Sequence, residues 1–424
     1  MSDHLPDPPG VAPRLRGLRR YLHALGPGII TGQADNDPAG IATYSVVGAS
    51  TGFSLLWLIV LAFPMLYAVE EMSARIGSAT KRGLQGLIVE KFGAVAGWLC
   101  ASLVVAVNVA TIGADIAGLS AAIELVSGIR WEWFVVPIGL GMGYLLWRGS
   151  YRTASRVFLW LTPLFFMYVV SGFLARPDWP LALHMTIIPH LSGTTVFLLA
   201  AVGLLGTTVS PYLLFWQTTQ EVEACTDIRE LKASRVDVAV GMFYSNMVSY
   251  FIIIATATVL YPHPALRNIQ TADQAALALQ PLAGNLAFLL FTAGIIVAGT
   301  LAVPVLAAST SYVVMETLRG KEGLDRKFNE ARGFYYVIFG AIAVGGAASL
   351  LGLSPIQLLF YSQVLGGSLM PIVLYFVIRL ANDKGVMGLN TSPWYINGIA
   401  WATVTIMALF ALANVYQIAT GAGL

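Results

Sequence analysis

Charge is what this chain of 424 residues has least of: 11% of its residues are Asp, Glu, Lys or Arg, against about 25% in an ordinary soluble domain. That is too little polar surface to clothe a water-facing globule of this size. With 57% hydrophobic residues the chain is also too apolar to be disordered. Its 42 glycines and 20 prolines are scattered without a period, which removes collagen-like and low-complexity readings. Cysteine is nearly absent. Cys100 and Cys225 form neither a disulfide framework nor a metal-binding pair of recognisable spacing, and both read as unremarkable helix or helix-end thiols. The net charge of +2 gives no ground for nucleic-acid binding. Catalytic signatures are missing too: there is no HExxH, no G-x-S-x-G elbow and no P-loop. The five histidines fall in tails, loops or span ends; His184 and His190 could hold metal at the outer surface, though loop histidines usually do nothing. An intramembrane enzyme or an ATP-driven pump would lack its chemistry here.

Long apolar runs are what is present. A helix needs ~20 mostly apolar residues to cross the hydrocarbon core. Eleven stretches qualify, near 26–49, 53–73, 94–123, 132–147, 156–175, 194–216, 237–260, 284–313, 333–351, 354–379 and 394–418. They are too long for the strands of a membrane barrel and lack its two-residue alternation. Residues 1–25 hold PDPPG and the cluster Arg14, Arg16, Arg19 and Arg20, with no apolar core leading to a small-residue cleavage site. They read as a cytoplasmic tail rather than a signal peptide. All but three of the 24 Lys and Arg residues (Arg130, Arg176 and Arg267) fall in alternate connecting segments, beginning with that tail. The positive-inside rule then predicts a multi-pass protein of the cell membrane, with its N-terminus cytoplasmic and its C-terminus extracytoplasmic. Arg319, Lys321, Arg326 and Lys327 read in the same way as topology signals, with lipid head-group binding the lesser alternative.

Charges inside spans are costly and are functional candidates by default. Most carboxylates sit at span ends, Glu70, Glu71 and Glu316 among them, where solvation or helix packing suffices. The first span is different. Asp35 and Asp37 lie in the middle of an apolar helix, followed at once by Pro38, Ala39 and Gly40. Proline removes a backbone donor and clashes with the preceding turn, and glycine tolerates unusual dihedrals, so the helix is expected to break at mid-membrane. Such backbone survives only inside protein or along a cavity, and a carboxylate beside freed carbonyl oxygens makes a cation site. In the sixth span Gly206, Thr207, Thr208 and Val209 lead into Ser210, Pro211 and Tyr212, a second break. Either could be a plain proline kink when taken alone. Two interrupted helices, each the first of a five-helix half, point to an inverted-repeat transporter.

The expected fold is therefore an all-α membrane protein of 5+5 helices with an eleventh appended. Residues 1–25 form the tail and 26–175 the first repeat. An extracellular connection covers 176–193, the second repeat 194–379, and a connection with the eleventh helix 380–424. Because five is odd, the second half enters the membrane from the opposite side.

The first span resembles that of the Nramp family of divalent-metal transporters, whose Asp-Pro-Gly-Asn motif reads DPAG at 37–40, followed by IATYSVVGASTGFSLLW. The family's Gly-Ala-Thr-Val-Met-Pro-His run in the sixth span is similar to GTTVSPY at 206–212, and SQVLGGSLMP echoes its tenth span. The resemblance covers most of the chain. It implies the Nramp version of the inverted-repeat fold, alternating access, and a metal held by a first-span Asp and Asn, a sixth-span Met and nearby carbonyls. Carried onto this chain, those positions are Asp37, the carbonyls of Ala34 and Thr207, Gly40 in place of Asn, and Ser210 in place of Met. One side-chain oxygen and the soft thioether are gone, and oxygen donors suit Mg²⁺, Ca²⁺ and Mn²⁺. The smaller side chains leave room for the waters that Mg²⁺ gives up reluctantly.

Proton coupling is touched as well. The family's His is Tyr212, which does not titrate near neutral pH, and its third-span Asp-x-x-Glu pair survives only as Asp115, with Gly118 at the Glu position. Asp115 reads equally well as a titrating group and as a satisfied polar contact. Asp35 is an extra acid, either a contributor to a hydrated ion or a helix cap. In the tenth span Gln363 is kept, while the Gln that closes over the metal corresponds to Leu369.

The leading expectation is a transporter of divalent cations, Mg²⁺ and Mn²⁺ favoured, without obligatory proton coupling. A proton-coupled Mn²⁺/Fe²⁺ importer is the alternative. An amino-acid or organic-solute symporter of the same fold fits less well, because such proteins aim half-helix N-termini at a substrate carboxylate, which Asp37 and Asp35 would repel. No cofactor is expected. The partners are the transported ion and the bilayer, and nothing in the sequence calls for more than a monomer.

Overall fold

The computed structural model describes residues 36–148, 162–223, 231–324 and 326–420; the tail, Ala34, Asp35 and Cys225 lie outside the described residues. Within them the chain is helical with no strand, which is how an open chain satisfies its own backbone polar groups in lipid. Each of the eleven apolar stretches carries helix. The first span is described from its second part, α1 (Pro38–Thr51). It is followed by α2 (Leu56–Thr80), α3 (Leu84–Ser127), α4 (Glu132–Trp147), the end of the fifth span as α5 (Phe166–Leu174), and a short connecting helix α6 (Trp179–Ile187). The sixth span is two helices, α7 (Thr195–Thr208) and α8 (Pro211–Glu223). The remaining long helices are α9 (Leu231–Val259), α10 (Ala287–Leu318), α11 (Arg332–Ser349), α12 (Pro355–Ala381) and α13 (Trp394–Thr420). Among the described residues seven segments are long and apolar enough on their own to cross a membrane, and α4 is shorter.

The helix ends follow from local chemistry. Proline stands at N1 of α1, α8 and α12, where its missing N–H costs nothing. Thr194 and Ser354 cap α7 and α12, the latter in a capping box with Gln357. Helix α3 starts ten residues before the apolar run that begins at 94. Gly93, at φ 87° and ψ 170°, separates a mixed polar and apolar lead-in from the membrane part in a conformation that suits glycine. Similarly α9 and α10 run past the apolar stretches into polar sequence, because a helix does not end where its hydrophobicity does.

Helix α3 packs along α10, α11 and α12, while α1 lies against α7, α9 and α12. The packing of α1 on α9 and of α8 on α2 is the same contact with the two halves exchanged, as inversion demands. Small residues let backbones meet. A Cβ on Gly206 would stand 2.0 Å from the Gln363 carbonyl oxygen and 2.5 Å from Gly367 N, and one on Gly367 2.2 Å from Val202 O. Main chain cannot yield as a side chain does, so Gly206→Leu is expected to destabilise by about 3 kcal/mol or more. The check is a large fall in melting temperature of the detergent-solubilised protein.

Large apolar side chains such as Trp133, Leu140, Leu409 and Leu412 are exposed on α4 and α13, as a lipid-facing surface requires. The basic end of the bundle is held by ions. Glu71, 1% exposed, accepts from Arg75 at 2.5 Å and from Arg235 at 2.6 Å, and Arg75 also reaches the Asn390 carbonyl at 3.5 Å. These residues join the second span, the seventh span and the connection before α13. Nearby, burial with Glu316 and Glu223 alongside pushes Glu322 up to about 8, while Lys91 holds Asp383 below its usual range.

Candidate metal site

The site grows from the break in the first span. Asp37 is the N-cap of α1, with extended dihedrals (φ −71°, ψ 169°), and its Oδ1 accepts from Gly40 N at 2.5 Å. A carboxylate is stabilised there by the free amides and the helix dipole. One residue along the same turn, Ala39 N donates to Oδ1 of Asp115 at 3.1 Å. Two carboxylates from different spans thus sit on successive amides of one helix end, Asp37 at 2% exposure and Asp115 at 0%. Oδ2 of Asp115 has no hydrogen-bond partner. Of the two sequence readings of Asp115, a fully satisfied contact describes only one of its oxygens.

The second break meets the first. Helix α7 ends at Thr208 and α8 starts at Pro211, with Val209 and Ser210 between. Tyr212, in the first turn of α8, hydrogen-bonds the Asp37 side chain through its hydroxyl. Its own carbonyl accepts from Ser309 of α10 at 3.1 Å. Tyr44 of α1 and Thr208 share a hydrogen bond of 3.1 Å, and because Thr208 donates to Leu204 O at 2.8 Å, Tyr44 is the donor. Ser210 turns its hydroxyl back on its own break, donating to Gly206 O at 2.9 Å and Thr207 O at 2.8 Å. The Thr207 carbonyl keeps a second lone pair. It is not, however, a bare carbonyl.

The third-span departure and the retained tenth-span Gln363 both fall beside the breaks. A Cβ on Gly118 would lie 3.4 Å from Pro38 Cβ and 2.9 Å from a Leu359 methyl, so a carboxylate there would stand at the broken helix. Gln363 is 3% exposed, with its amide on Ser362 Oγ at 3.3 Å, and its carbonyl faces Gly206 beside the second break. The structure therefore gathers Asp37, Gly40, Asp115 and Tyr212 directly, with Thr207, Ser210 and Gln363 along the second break. Ala34 and Asp35 lie outside the described residues. Among the described residues no group of three His, Cys, Asp or Glu is placed to hold a metal ion; a donor set here has one or two carboxylates and otherwise neutral oxygens.

Towards the end away from the basic loops, a cavity of about 420 Å³ is lined by Val46, Arg267, Gln357 and Phe360 among others. Phe360 also belongs to a layer in which it closes with Thr43 and Val364 around Gly203, at 3.0–3.4 Å from where a Cβ would stand.

Sequence reasoning passes over Asn36, which is wholly buried beside Asp37. An amide within an apolar span is the available signal, and the two flanking acids mask it. Tyr44 is passed over as well, and Arg75 and Arg235 read only as topology signals.

The profile of the natural resistance-associated macrophage protein-like family matches residues 28–417. The divalent metal cation transporter MntH of Deinococcus radiodurans is 28% identical over 407 residues, covering 92% of this chain and 89% of that protein. MntH of Bacillus subtilis is 26% identical over 417 residues, covering 96% and 94%. Among solved structures, the Eremococcus coleocola manganese transporter in complex with an aromatic bis-isothiourea compound aligns with a TM-score of 0.74 at 18% identity, over 98% of this chain and 89% of that one. Mhp1, a nucleobase-cation-symport-1 family transporter, aligns at 0.56 with 13% identity, over 94% and 93%. At such identities the likeness establishes the fold, the inverted-repeat bundle with its discontinuous helices.

Proposed function

Since the chain belongs to the natural resistance-associated macrophage protein-like, or Nramp, family, we propose that it is a secondary transporter of divalent metal cations that favours Mg²⁺ and Mn²⁺. It works by alternating access in the cell membrane, N-terminus cytoplasmic, without obligatory proton coupling. The observation that carries the reading is the donor set: one charged oxygen donor, Asp37, on a helix end, facing a second break whose side chain is a hydroxyl, Ser210, where the family has a thioether. Hard oxygen donors without sulfur remove the preference for soft ions, and one or two carboxylates with otherwise neutral oxygens suit an ion that keeps part of its water. A binding site of this kind must also release its ion, which a cage of three or four carboxylates would not do. Tyr212 on Asp37 supports the uncoupled part, since a phenol at the His position carries no proton away near neutral pH.

The test is uptake into proteoliposomes. Excess Mg²⁺ is expected to suppress Mn²⁺ entry, and an imposed pH gradient to leave metal accumulation unchanged; failure of Mg²⁺ to compete would remove the selectivity reading. One observation favours the alternative of a proton-coupled Mn²⁺/Fe²⁺ importer. Asp115 brings a second buried carboxylate onto the same helix end, the arrangement in which a proton and a cation exchange. Metal-evoked acidification of the vesicle lumen would decide for that reading.

A further inference from the structure

At the broken turn two buried side chains keep polar atoms without a hydrogen-bond partner: Asp115 its Oδ2, and Asn36 both its amide oxygen and its amide nitrogen. Asn36 is 0% exposed. A fully buried side-chain amide with neither end satisfied is costly, and replacing it with an apolar residue would remove that cost, so its presence needs a reason outside folding. Its Cα is one peptide, about 3.8 Å, from that of Asp37. An Asn36 amide turned to the same side as the Asp37 carboxylate meets the first layer of water of a cation held there.

We propose that Asn36 is a metal-recognition residue of this transporter, its amide oxygen accepting from a water of the bound ion's shell or meeting the ion itself. It stands in for the side-chain amide lost at Gly40, delivered from the residue before the N-cap instead of from the first turn after it. This rests on the reading of Asp37 as the ion's anchor. A neutral oxygen donor at this position adds no charge, which keeps the site hard and the ion releasable.

The test uses the purified full-length chain with MgCl₂ or MnCl₂ as the only ligand, following binding by calorimetry and stability by melting temperature. Asn36→Leu, close in volume, is expected to melt at or above the wild-type temperature without metal, because an unsatisfied polar group has gone. Its Mg²⁺ affinity is expected to fall about tenfold, and Asn36→Asp to restore or exceed the wild-type value. Unchanged Mg²⁺ affinity in Asn36→Leu overturns the proposal, as does a metal-free protein that melts well below wild type, which would make Asn36 a structural residue. Asp37→Ala separates the two levels. If that variant still binds metal, the anchor itself is misassigned; if it loses binding while Asn36→Leu does not, only the role of Asn36 falls.

Discussion

Asp37→Ala is expected to bring metal uptake down to that of protein-free liposomes while the purified protein keeps its melting temperature to within a few degrees. Taking one partner from a buried charged contact costs roughly 3–5 kcal/mol, a hundredfold to several thousandfold in affinity. The loss falls on the ion because Asp37 is the carboxylate that caps α1 itself. The fold is buffered: Pro38 needs no donor partner, and Ala39 N is already held by Asp115. Gly40 N and the Tyr212 hydroxyl lose this acceptor, a deficit of about 1–2 kcal/mol. Wild-type-like transport by this variant would remove the core of the functional reading. Asp37→Asn should behave nearly as Ala does, since the ion needs the charge more than the shape.

The second large effect is expected from Ser210→Met combined with Gly40→Asn. Together they put a thioether and a side-chain amide at the two breaks, and the preference between Mn²⁺ and Mg²⁺ should move towards Mn²⁺ by about tenfold, or 1.4 kcal/mol, with Cd²⁺ gaining more. Gly40 is within α1 and has no positive φ, so asparagine meets no backbone obstacle. Methionine at 210 also removes the hydrogen bond that the single serine hydroxyl proton shares between Gly206 O and Thr207 O, freeing the Thr207 carbonyl for the ion. Competition series against Mn²⁺ uptake provide the measurement. An unchanged profile would show that selectivity resides elsewhere, for instance in the layer around Phe360.

Much of this architecture is legible in the amino-acid sequence, for reasons that differ by element. Span positions follow from apolar run length, because lipid enforces it, and both broken helices from proline beside small or acidic residues, because no uninterrupted helix accepts that combination at depth. What the sequence does not disclose is pairing. Nothing in it says that Asp115 lies on Ala39 N, that Tyr212 reaches Asp37, or that Ser210 turns away onto Thr207 O. The first two are contacts between residues tens to more than a hundred positions apart, and the third depends on a local rotamer; periodicity carries no information about either. Asn36 is visible in the sequence but reads as filler between two acids. Its significance lies in having no partner, which only the folded arrangement reveals.

The glycine contact between Gly206 and Gly367 has a mechanical consequence. It welds α7 to α12 main chain to main chain. On the other side of the break, α8 is fastened to α2: Thr218 donates to Ser73 O at 3.1 Å, Glu221 accepts from Ser78 at 3.3 Å, and a Cβ on Gly77 would stand 2.5 Å from Thr218 O. The two halves of one span are thus fastened, on either side of its break, to two different helices. Any shift of α12 against α2 would have to be absorbed by Val209 and Ser210, and the serine hydroxyl, bonded back onto the end of α7, is the pin of that joint. On the proposed alternating-access reading residue 210 would set the stiffness of that joint, and substitutions there should alter turnover even for an ion whose affinity they leave alone.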